Sequence, residues 1–274
     1  MTGSLTHTMH SPQGRIGADE LPRITVITVV FNGRTFIEDT ILSVIRQTYT
    51  NLEYIVIDGG SKDGTVDIIQ KYADKIDYWH SEKDAGIYDA MNKGLQKATG
   101  RWVNFMNAGD VFHGVDTVSE IFAAGTQTAA VIYGGVEIVY PDLVRIQQPG
   151  VPGKLWQGMQ FCHQSAFTDV IYHQSNPFDI RYRIAADLAF FYQAYQAQMT
   201  FSDCGKVISR VITGGLSEAN RVKAILSSRD AVCGRRWRPF IRLYYTGRII
   251  SAMLRTLAKR CLPRALVRKL ILLK

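Results

Sequence analysis

Three aspartates stand where the chain leaves an apolar run, a spacing that suits metal-assisted phosphate chemistry. Asp58 closes the run LEYIVID, Asp84 follows IDYWHS by three residues, and Asp110 comes after RWVNFM and a short turn. Each of them alone is equally well explained as the cap of the next helix, because Asp is a preferred N-cap residue. Gathered at one edge of a sheet, such carboxylates can hold a divalent cation against the phosphates of a nucleotide.

The apolar runs alternate with segments of helical periodicity. Strands are predicted for RITVITVVF (23–31), LEYIVIDGG (52–60), IDYWHS (76–81) and RWVNFM (101–106), and helices for Thr35–Gln47, SKDGTVDIIQKYADK and AGIYDAMNKGLQKA. This alternation indicates βαβ crossovers and a parallel sheet, which places the chain in the α/β class. Because ligands bind outside the carboxyl ends of parallel strands, Asp58, Asp84 and Asp110 are expected to converge on one crevice.

The pattern becomes less regular after Asp110. The sequence predicts a helix at about 115–124, antiparallel hairpins broken at Gly134-Gly135 and Pro141-Asp142, a mobile loop at 148–160, a strand HQSAFTD and a helix IAADLAFFYQAYQAQ. Short alternating runs separated by Gly and Pro pairs are typical of hairpins. We expect residues 23–110 to bind a nucleotide and residues 111–220 to shape an acceptor site.

The loop after the first strand, FNGR, is not a phosphate-binding loop. Neither G-x-x-x-x-G-K-[ST] nor G-x-G-x-x-G occurs near that strand, which argues against P-loop hydrolases and dinucleotide dehydrogenases. A sugar nucleotidyltransferase, a further alternative, needs a Gly-rich signature with a basic residue there, and FNGRTF does not supply it. Phosphates in this crevice therefore need another positive charge, such as a cation held by a carboxylate.

Two long segments resemble the inverting glycosyltransferases of family 2, which have the GT-A fold. TVVFNGRTFIEDTILSVIRQTYTNLEYIVIDGGSKDGTVDII is similar to the opening of that family, and EKDAGIYDAMNKGLQKATGRWVNFMNAGD to its next segment, up to the D-x-D metal motif. GIYDAMNKG resembles the subgroup that builds bacterial exopolysaccharides of the colanic-acid type. The resemblance extends over roughly residues 23–220. It implies a Rossmann-like, mostly parallel central sheet flanked by helices.

The resemblance also implies the residues that bind the donor, a UDP- or GDP-sugar. Asp58 matches the acid that contacts the nucleotide base, and Asp84 lies beside the sugar and ribose. Thr28, Phe31 and Asn32 match the end of the first strand, where the family packs the base.

Asp110 matches the last acid of the D-x-D motif, which ligates Mn²⁺ or Mg²⁺ bridging the diphosphate. The chain departs from the family here, since Asn107-Ala108-Gly109-Asp110 stands where D-x-D-D is common and the ribose-contacting acid is a glycine. Asn107 is kept as a donor contact. His163, with Gln164 beside it, is expected to contact donor or acceptor, although a lone histidine is as often structural.

Asp187 matches the family's catalytic base, which deprotonates the acceptor hydroxyl for attack opposite the leaving diphosphate. The simpler alternative is that it caps its helix. The motif Q-x-x-R-W of processive family members is absent from the sequence, which favours transfer of a single sugar.

Charge divides the chain into an acidic body and a basic tail. Residues 221–274 contain 15 Lys/Arg and one acid, Asp230, whereas residues 1–220 carry a net charge of −6. In the tail, Ile250, Met253, Leu254 and Leu257 share one face of a helix, and Pro263 separates it from a second helix, RALVRKLILLK. A basic amphipathic helix is typical of binding to an anionic membrane surface. Packing on the body or on a second subunit is the alternative, and no nucleic-acid motif accompanies the charge.

Together these observations predict a disordered lead-in (1–22), a GT-A domain (23–220) and a basic helical extension (221–274). The four scattered cysteines predict free thiols in a cytosolic protein. We expect a metal-dependent transferase, peripheral at the inner face of the plasma membrane, that acts on a lipid-linked or saccharide acceptor. The alternative is a catalytically degenerate nucleotide-sugar-binding protein in an assembly complex.

Overall fold

The computed structural model describes residues 21–124, 127–213, 221–234 and 238–261. The strands are β1 (Ile24–Val30), β2 (Leu52–Asp58), β3 (Tyr78–Ser81), β4 (Trp102–Phe105), β5 (Val111–Phe112), β6 (Val131–Tyr140), β7 (Leu143–Gln147), β8 (Ala166–Asp169) and β9 (Phe201–Ile212). The α-helices are α1 (Ile37–Ile45), α2 (Thr65–Lys71), α3 (Ile87–Leu95), α4 (Thr117–Phe122), α5 (Val170–Ser175), α6 (Ala186–Gln196), α7 (Arg221–Cys233) and α8 (Pro239–Cys261). Short 3-10 helices span Ala73–Lys75, Pro152–Gln157 and His163–Ser165. Nearly all of the predicted lead-in, and the helix predicted after Pro263, lie outside the described residues.

The strands form one mixed sheet in the order β3-β2-β1-β4-β8-β6-β9-β5, with β7 paired to β6. β1 is parallel to both β2 and β4, and β2 is parallel to β3, as the sequence predicts. Beyond β4 the strand directions are mixed. β8 is antiparallel to β4 and to β6, whereas β6 and β9 are parallel. The predicted nucleotide-binding half is therefore the parallel half of the sheet.

β1 is nearly all apolar because it has a core on each face. Ile27 and Val29 belong to one buried cluster, together with Met91 of α3. Val26 and Val30 belong to the other, together with Ile41 of α1. All seven β1 residues are buried, which explains why the strand reads as a continuous apolar run and not as an alternation.

Of the two hairpin breaks predicted in the second half, one is wrong and one is confirmed. Gly134-Gly135 does not break a hairpin, since β6 runs through both glycines with a register shift against β9. A Cβ on Gly134 would lie 2.4 Å from the Lys206 carbonyl oxygen, so the pair permits close strand approach. Pro141-Asp142 does form the turn between β6 and β7. β9 was not predicted.

The segment 148–160 was predicted as a mobile loop, and its central part forms a short helix that packs on the core. It contains the 3-10 helix Pro152–Gln157, and Leu155 of this helix is fully buried. Leu155 belongs to the same cluster as Ile27 and Met91, which we call the main core. His163 was predicted on a strand and instead belongs to the 3-10 helix His163–Ser165 before β8. The backbone therefore turns at His163 and does not pair in the sheet.

The basic extension packs on the body through one of its faces. Val232 of α7 belongs to the main core, Tyr245 of α8 is fully buried, and the Tyr244 ring lies 5.1 Å from that of Trp156. Phe240 also lies against Trp156, at 5.5 Å between ring centres, whereas the outer side of α8 exposes large apolar side chains: Leu243, Ile250, Met253 and Leu254. No helix among the described residues combines the length and the hydropathy needed to cross a bilayer.

Candidate active site

The loops that follow β1, β2 and β4 meet at one edge of the sheet. A Cβ on Gly33 would lie 3.7 Å from the Ala108 Cβ, and one on Gly59 would lie 3.4 Å from the Phe31 ring. Gly109 has φ +99° and faces Phe36, so a left-handed residue completes the turn after β4. The strand ends thus form one continuous rim, as parallel strands require.

Thr40 of α1 fixes the loop that carries Asp110. Its hydroxyl accepts from the Gly109 N–H at 2.9 Å and donates to the Asp110 carbonyl at 2.9 Å. The Asp110 N–H donates to the Asn107 carbonyl at 2.9 Å, which closes a tight turn. Both ends of this turn are therefore held before any ligand binds.

Asp110 does not cap a helix. The next element is β5, and α4 begins only at Thr117 with Asp116 as its N-cap residue. The Asp110 Oδ2 instead accepts from Gln164 Nε2 at 2.6 Å. Burial raises the pKa of Asp110 to about 6, while the Gln164 hydrogen bond and the nearby His163 oppose the rise. This carboxylate is thus costly to hold as an anion, and a cation would offset that cost.

Asp187 is held by partners from distant segments. It lies in the first turn of α6, where its Oδ1 accepts from the Leu188 N–H at 2.8 Å. The same oxygen is 3.1 Å from the Tyr88 hydroxyl of α3. Oδ2 lies 3.4 Å from His163 Nδ1, and the Asp187 side chain is 14% exposed. Asp187 is therefore not the N-cap residue, which is Ala185, and its carboxylate lies in the first turn of α6 facing the site.

His163 connects Asp187 to the loop of Asp110. Its Nε2 lies 3.0 Å from Asn107 Nδ2, and its Nδ1 faces Asp187. In the tautomer with its proton on Nδ1, the ring accepts from Asn107 and donates toward Asp187. The Asn107 Oδ1 is buried and has no hydrogen-bond partner among the described residues. His163 and Asn107, both predicted from the sequence, are thus brought together.

These side chains line one open cleft of about 790 Å³. Asn107, Asp110, His163 and Asp187 lie on its wall. Gln164, which the sequence analysis named with His163, also lines it. Residues that the sequence analysis did not select complete the wall: Phe36, Tyr88, Met159, Arg183 and Arg248. The arginines lie on the α5–α6 loop and on α8, and nothing in their local sequence distinguishes them from other basic residues.

Two predicted donor contacts are not accessible. Thr28 is fully buried within β1, where its hydroxyl lies 3.0 Å from the Tyr54 hydroxyl. Asp58 is also fully buried, and its Oδ2 accepts from the Gly60 N–H, the Ser61 N–H and the Ser81 hydroxyl. Its Oδ1 accepts from the Ser61 hydroxyl. Thr28 is thus part of the core and Asp58 organises the loop after β2, and their contact with the base stays a prediction.

The other predicted donor contacts lie on the rim beside the cleft. Phe31 is 63% exposed, and Asn32 has φ +48° and accepts from the Lys62 N–H through its side chain. The Asp84 Oδ2 would lie 2.4 Å from a Cβ on Gly59, and its Oδ1 accepts from the Gly86 N–H. The exposed Phe31 ring can stack on a planar base. The nearby Asp84 carboxylate can accept hydrogen bonds from that base.

The cleft offers oxygen ligands for a divalent cation, but not a complete cage. Within the described residues no three His, Cys, Asp or Glu side chains converge as metal ligands. Asp110 supplies a carboxylate and Asn107 an unpartnered buried oxygen. Mg²⁺ and Mn²⁺ favour oxygen ligands, and Mg²⁺ is commonly held by one or two carboxylates together with substrate phosphates. The residues present therefore fit a cation that binds jointly with a diphosphate.

Comparison with known proteins identifies relatives over most of the chain. The family model Glycosyl transferase family 2 matches residues 25–198. The chain is 30% identical over 175 residues to a PGL/p-HBAD biosynthesis glycosyltransferase from Mycobacterium bovis (strain BCG / Pasteur 1173P2), covering 62% of this chain and 68% of that protein.

Two solved structures share the fold. One is TarS residues 1–349 from S. aureus in complex with UDP-GlcNAc, with a TM-score of 0.61 and 16% identity over 79% of this chain and 68% of that one. The other is a mannosyltransferase from Pyrobaculum calidifontis with GDP-Man and Mn²⁺, with a TM-score of 0.61 and 17% identity over 93% and 80% of the two chains. This likeness confirms the expected fold class.

Proposed function

The chain belongs to glycosyl transferase family 2 and is a glycosyltransferase; from that membership we propose that it transfers a single sugar from a UDP- or GDP-sugar, with inversion, to a lipid-linked or saccharide acceptor. The observation that carries the proposal is the Asp187 carboxylate, held in the same cleft as Asp110. The fold neighbours were solved with UDP-GlcNAc and with GDP-Man, which supports a donor of this class. The setting we propose is cell-surface polysaccharide or glycolipid synthesis.

Asp187 acts as the general base in this proposal. An inverting transfer needs one base that takes the proton of the acceptor hydroxyl as its oxygen attacks the anomeric carbon. The Tyr88 hydroxyl and His163 hold the Asp187 carboxylate from two sides, so the base is oriented before the acceptor enters. His163 in turn is fixed by Asn107.

Asp110 and the Asn107 side-chain oxygen would hold the metal, Mn²⁺ or Mg²⁺. When bound, such a cation neutralises the charge that develops on a leaving diphosphate. Thr40 keeps the Asp110 loop in place, and Gln164 orients its carboxylate. Phe31, Asn32 and Asp84 on the rim are the proposed contacts of the nucleotide. The Mn²⁺ in the Pyrobaculum calidifontis neighbour supports metal dependence.

The domain boundaries follow the same proposal. Residues 23–110 supply the rim and the Asp110 loop, residues 111–220 supply His163 and Asp187, and residues 221–274 form the basic extension. The contacts of α7 and α8 with the body make this extension a packed appendage of the GT-A domain.

The exposed face of α8 is the proposed membrane contact, which would make the protein cytoplasmic and peripheral at the inner face of the plasma membrane. Leu243 is 72% exposed, and Ile250 and Leu254 continue the same stripe about two and three turns further on. The net charge of about +14 in residues 221–274 complements anionic lipid. Each basic residue near such a surface contributes about 1 kcal/mol of attraction.

The decisive experiment combines donor binding with turnover. Thermal stabilisation by UDP- and GDP-sugars, with and without Mn²⁺, identifies the donor and the metal effect. Asp110→Ala is expected to abolish the metal-dependent part of the stabilisation. Asp187→Asn is expected to keep donor binding and to lower turnover about 100-fold or more, since a general base contributes about 10²–10⁴.

Asp179→Asn is the matched control for the base. Asp179 lies on the loop before α6 and pairs with Arg181, so its loss leaves Asp187 and its partners untouched. If Asp187→Asn retains the turnover of this control, or if the donor binds without any effect of metal, the proposed mechanism is wrong.

A further inference from the structure

The loop between α5 and α6 carries two arginines in contrasting surroundings. Arg181 is engaged with Asp179, its Nε lying 2.9 Å from Oδ1 and its Nη2 2.6 Å from Oδ2. Arg183, two residues later, is exposed and lines the cleft with Asp110 and Asp187. Among the described residues its guanidinium has neither a hydrogen-bond nor an ion-pair partner. The chain therefore immobilises one arginine at the surface and leaves the donors of the other available to a ligand in the cleft.

Within the part of the chain that the structure describes, the cleft is lined by one other arginine, and that one is already occupied. Arg248 donates to the Gln157 carbonyl at 2.5 Å, and its guanidinium lies 5.9 Å and 5.8 Å from the rings of Tyr244 and Tyr245. Its role is to dock α8 onto the segment 152–157. Arg183 is thus the cation of the described cleft whose fork of five N–H groups is available, and such a fork matches the oxygens of a phosphate.

We propose that Arg183 is a phosphate-binding residue of this cleft. The inference rests on the proposed function, under which two substrates bring phosphate to the site: the nucleotide-sugar donor, through its diphosphate, and a lipid-linked acceptor, through the phosphate of its lipid. In either case Arg183 contributes positive charge to the cleft in which Asp110 is the proposed metal carboxylate. It is a binding residue, and Asp187 remains the base.

The experiment compares Arg183→Ala, Arg183→Lys and the control Arg181→Ala in the full chain. Binding of UDP, GDP and the matching nucleosides is measured by calorimetry, and acceptor KM by turnover with a polyprenyl-phosphate-linked sugar. Arg183→Ala is expected to weaken the binding of UDP and GDP, or to raise the acceptor KM, about 10- to 100-fold. The affinity for the nucleosides should stay unchanged. Arg183→Lys is expected to restore part of the loss, because it keeps the charge without the fork.

The two measurements, nucleotide affinity and acceptor KM, identify which substrate brings the phosphate. A loss confined to UDP or GDP assigns Arg183 to the donor, and a loss confined to acceptor KM assigns it to the acceptor. Wild-type affinity and KM in Arg183→Ala, or equal losses in Arg181→Ala, would overturn the inference while leaving the proposed function intact. If the wild-type protein bound neither UDP nor GDP, the proposed function would fail and this inference with it. Unchanged melting temperatures of both alanine variants exclude a folding defect.

Discussion

His173 is a fully buried histidine that the fold keeps neutral. Its ring stacks on Phe190 at 3.8 Å and makes edge contacts with Phe178 and Phe105 at 4.6 Å and 5.4 Å. Nδ1 lies 2.9 Å from the Thr168 hydroxyl, and the buried Nε2 has no partner among the described residues. A protonated ring here would be an unpaired buried charge, so burial lowers the pKa of His173 to about 3.

This histidine should make stability depend on pH. The unfolded chain binds the proton at pH values below about 6.5, whereas the folded protein excludes it until about pH 3, so the free energy of unfolding falls as the pH falls through this range. The expected contribution between pH 7.5 and 5.5 is about 1.4 kcal/mol. Urea unfolding at the two pH values should show a larger loss in the wild type than in His173→Phe. Equal losses in the two proteins would contradict the assignment.

Tyr88 should act on catalysis through Asp187 alone. Its hydroxyl lies 3.1 Å both from Asp187 Oδ1 and from the Ile184 carbonyl. Tyr88→Phe removes a hydrogen bond of about 1 kcal/mol, so kcat should fall about fivefold while donor affinity stays unchanged. Tyr49→Phe is the control, since that hydroxyl donates to the Pro22 carbonyl outside the cleft. Equal kcat in the two variants would show that Tyr88 does not position the base.

At the scale of elements, one hydroxyl joins α1 to the loop after β4. Thr40→Val keeps the shape of the side chain but leaves the Gly109 N–H and the Asp110 carbonyl without their partner. We expect a loss of about 1–3 kcal/mol in the free energy of unfolding and a weaker stabilisation of the donor complex by Mn²⁺. Thr40→Ser retains the hydroxyl and should remain close to wild type in both measurements. A Thr40→Val protein with the full Mn²⁺ effect would show that the loop needs no such support.

Two helical glycines should respond to alanine in opposite ways. A Cβ on Gly94 of α3 would lie 2.6 Å from the Ile27 Cγ2 of β1, whereas one on Gly247 of α8 meets nothing within 4 Å. Gly94→Ala is therefore expected to destabilise the protein by about 1–3 kcal/mol through overpacking. Gly247→Ala should stabilise α8 by up to about 1 kcal/mol, because alanine restricts the unfolded chain. Thermal unfolding of both variants tests the contrast, which fails if Gly94→Ala is neutral.

At the scale of the whole molecule, the surface of α8 and the mouth of the cleft belong to one packed body. Removing residues 221–274 would take Val232 out of the main core and Tyr244 away from Trp156, so point substitutions are the better test of membrane binding. Leu243→Asp is expected to reduce flotation with anionic vesicles severalfold, because it places a like charge against the lipid and removes apolar contact. Leu143→Asp on β7, a leucine that is 55% exposed, is the control.

The flotation experiment also separates the membrane from a second subunit as the partner of α8. If wild type, Leu243→Asp and Leu143→Asp were recovered equally in the vesicle fraction, the membrane proposal would be wrong. If Leu243→Asp instead converted a dimer into a monomer and left flotation unchanged, the apolar stripe would be a contact between copies of the chain. Sedimentation of the same three proteins provides this readout.

The sequence alone determined the features that are local or periodic. The parallel strands, their crossover helices, the strand-end position of Asp110 and the identity of Asp187 follow from apolar runs, turn residues and family motifs, because these signals lie within short stretches of chain. Tertiary structure decided the rest. Thr28 and Asp58 are both fully buried, and Thr28 bonds across to β2. Arg183 enters the site because the α5–α6 loop lines the same cleft as Asn107 and Asp110. Contacts between segments tens of residues apart set both outcomes, and no local pattern encodes them.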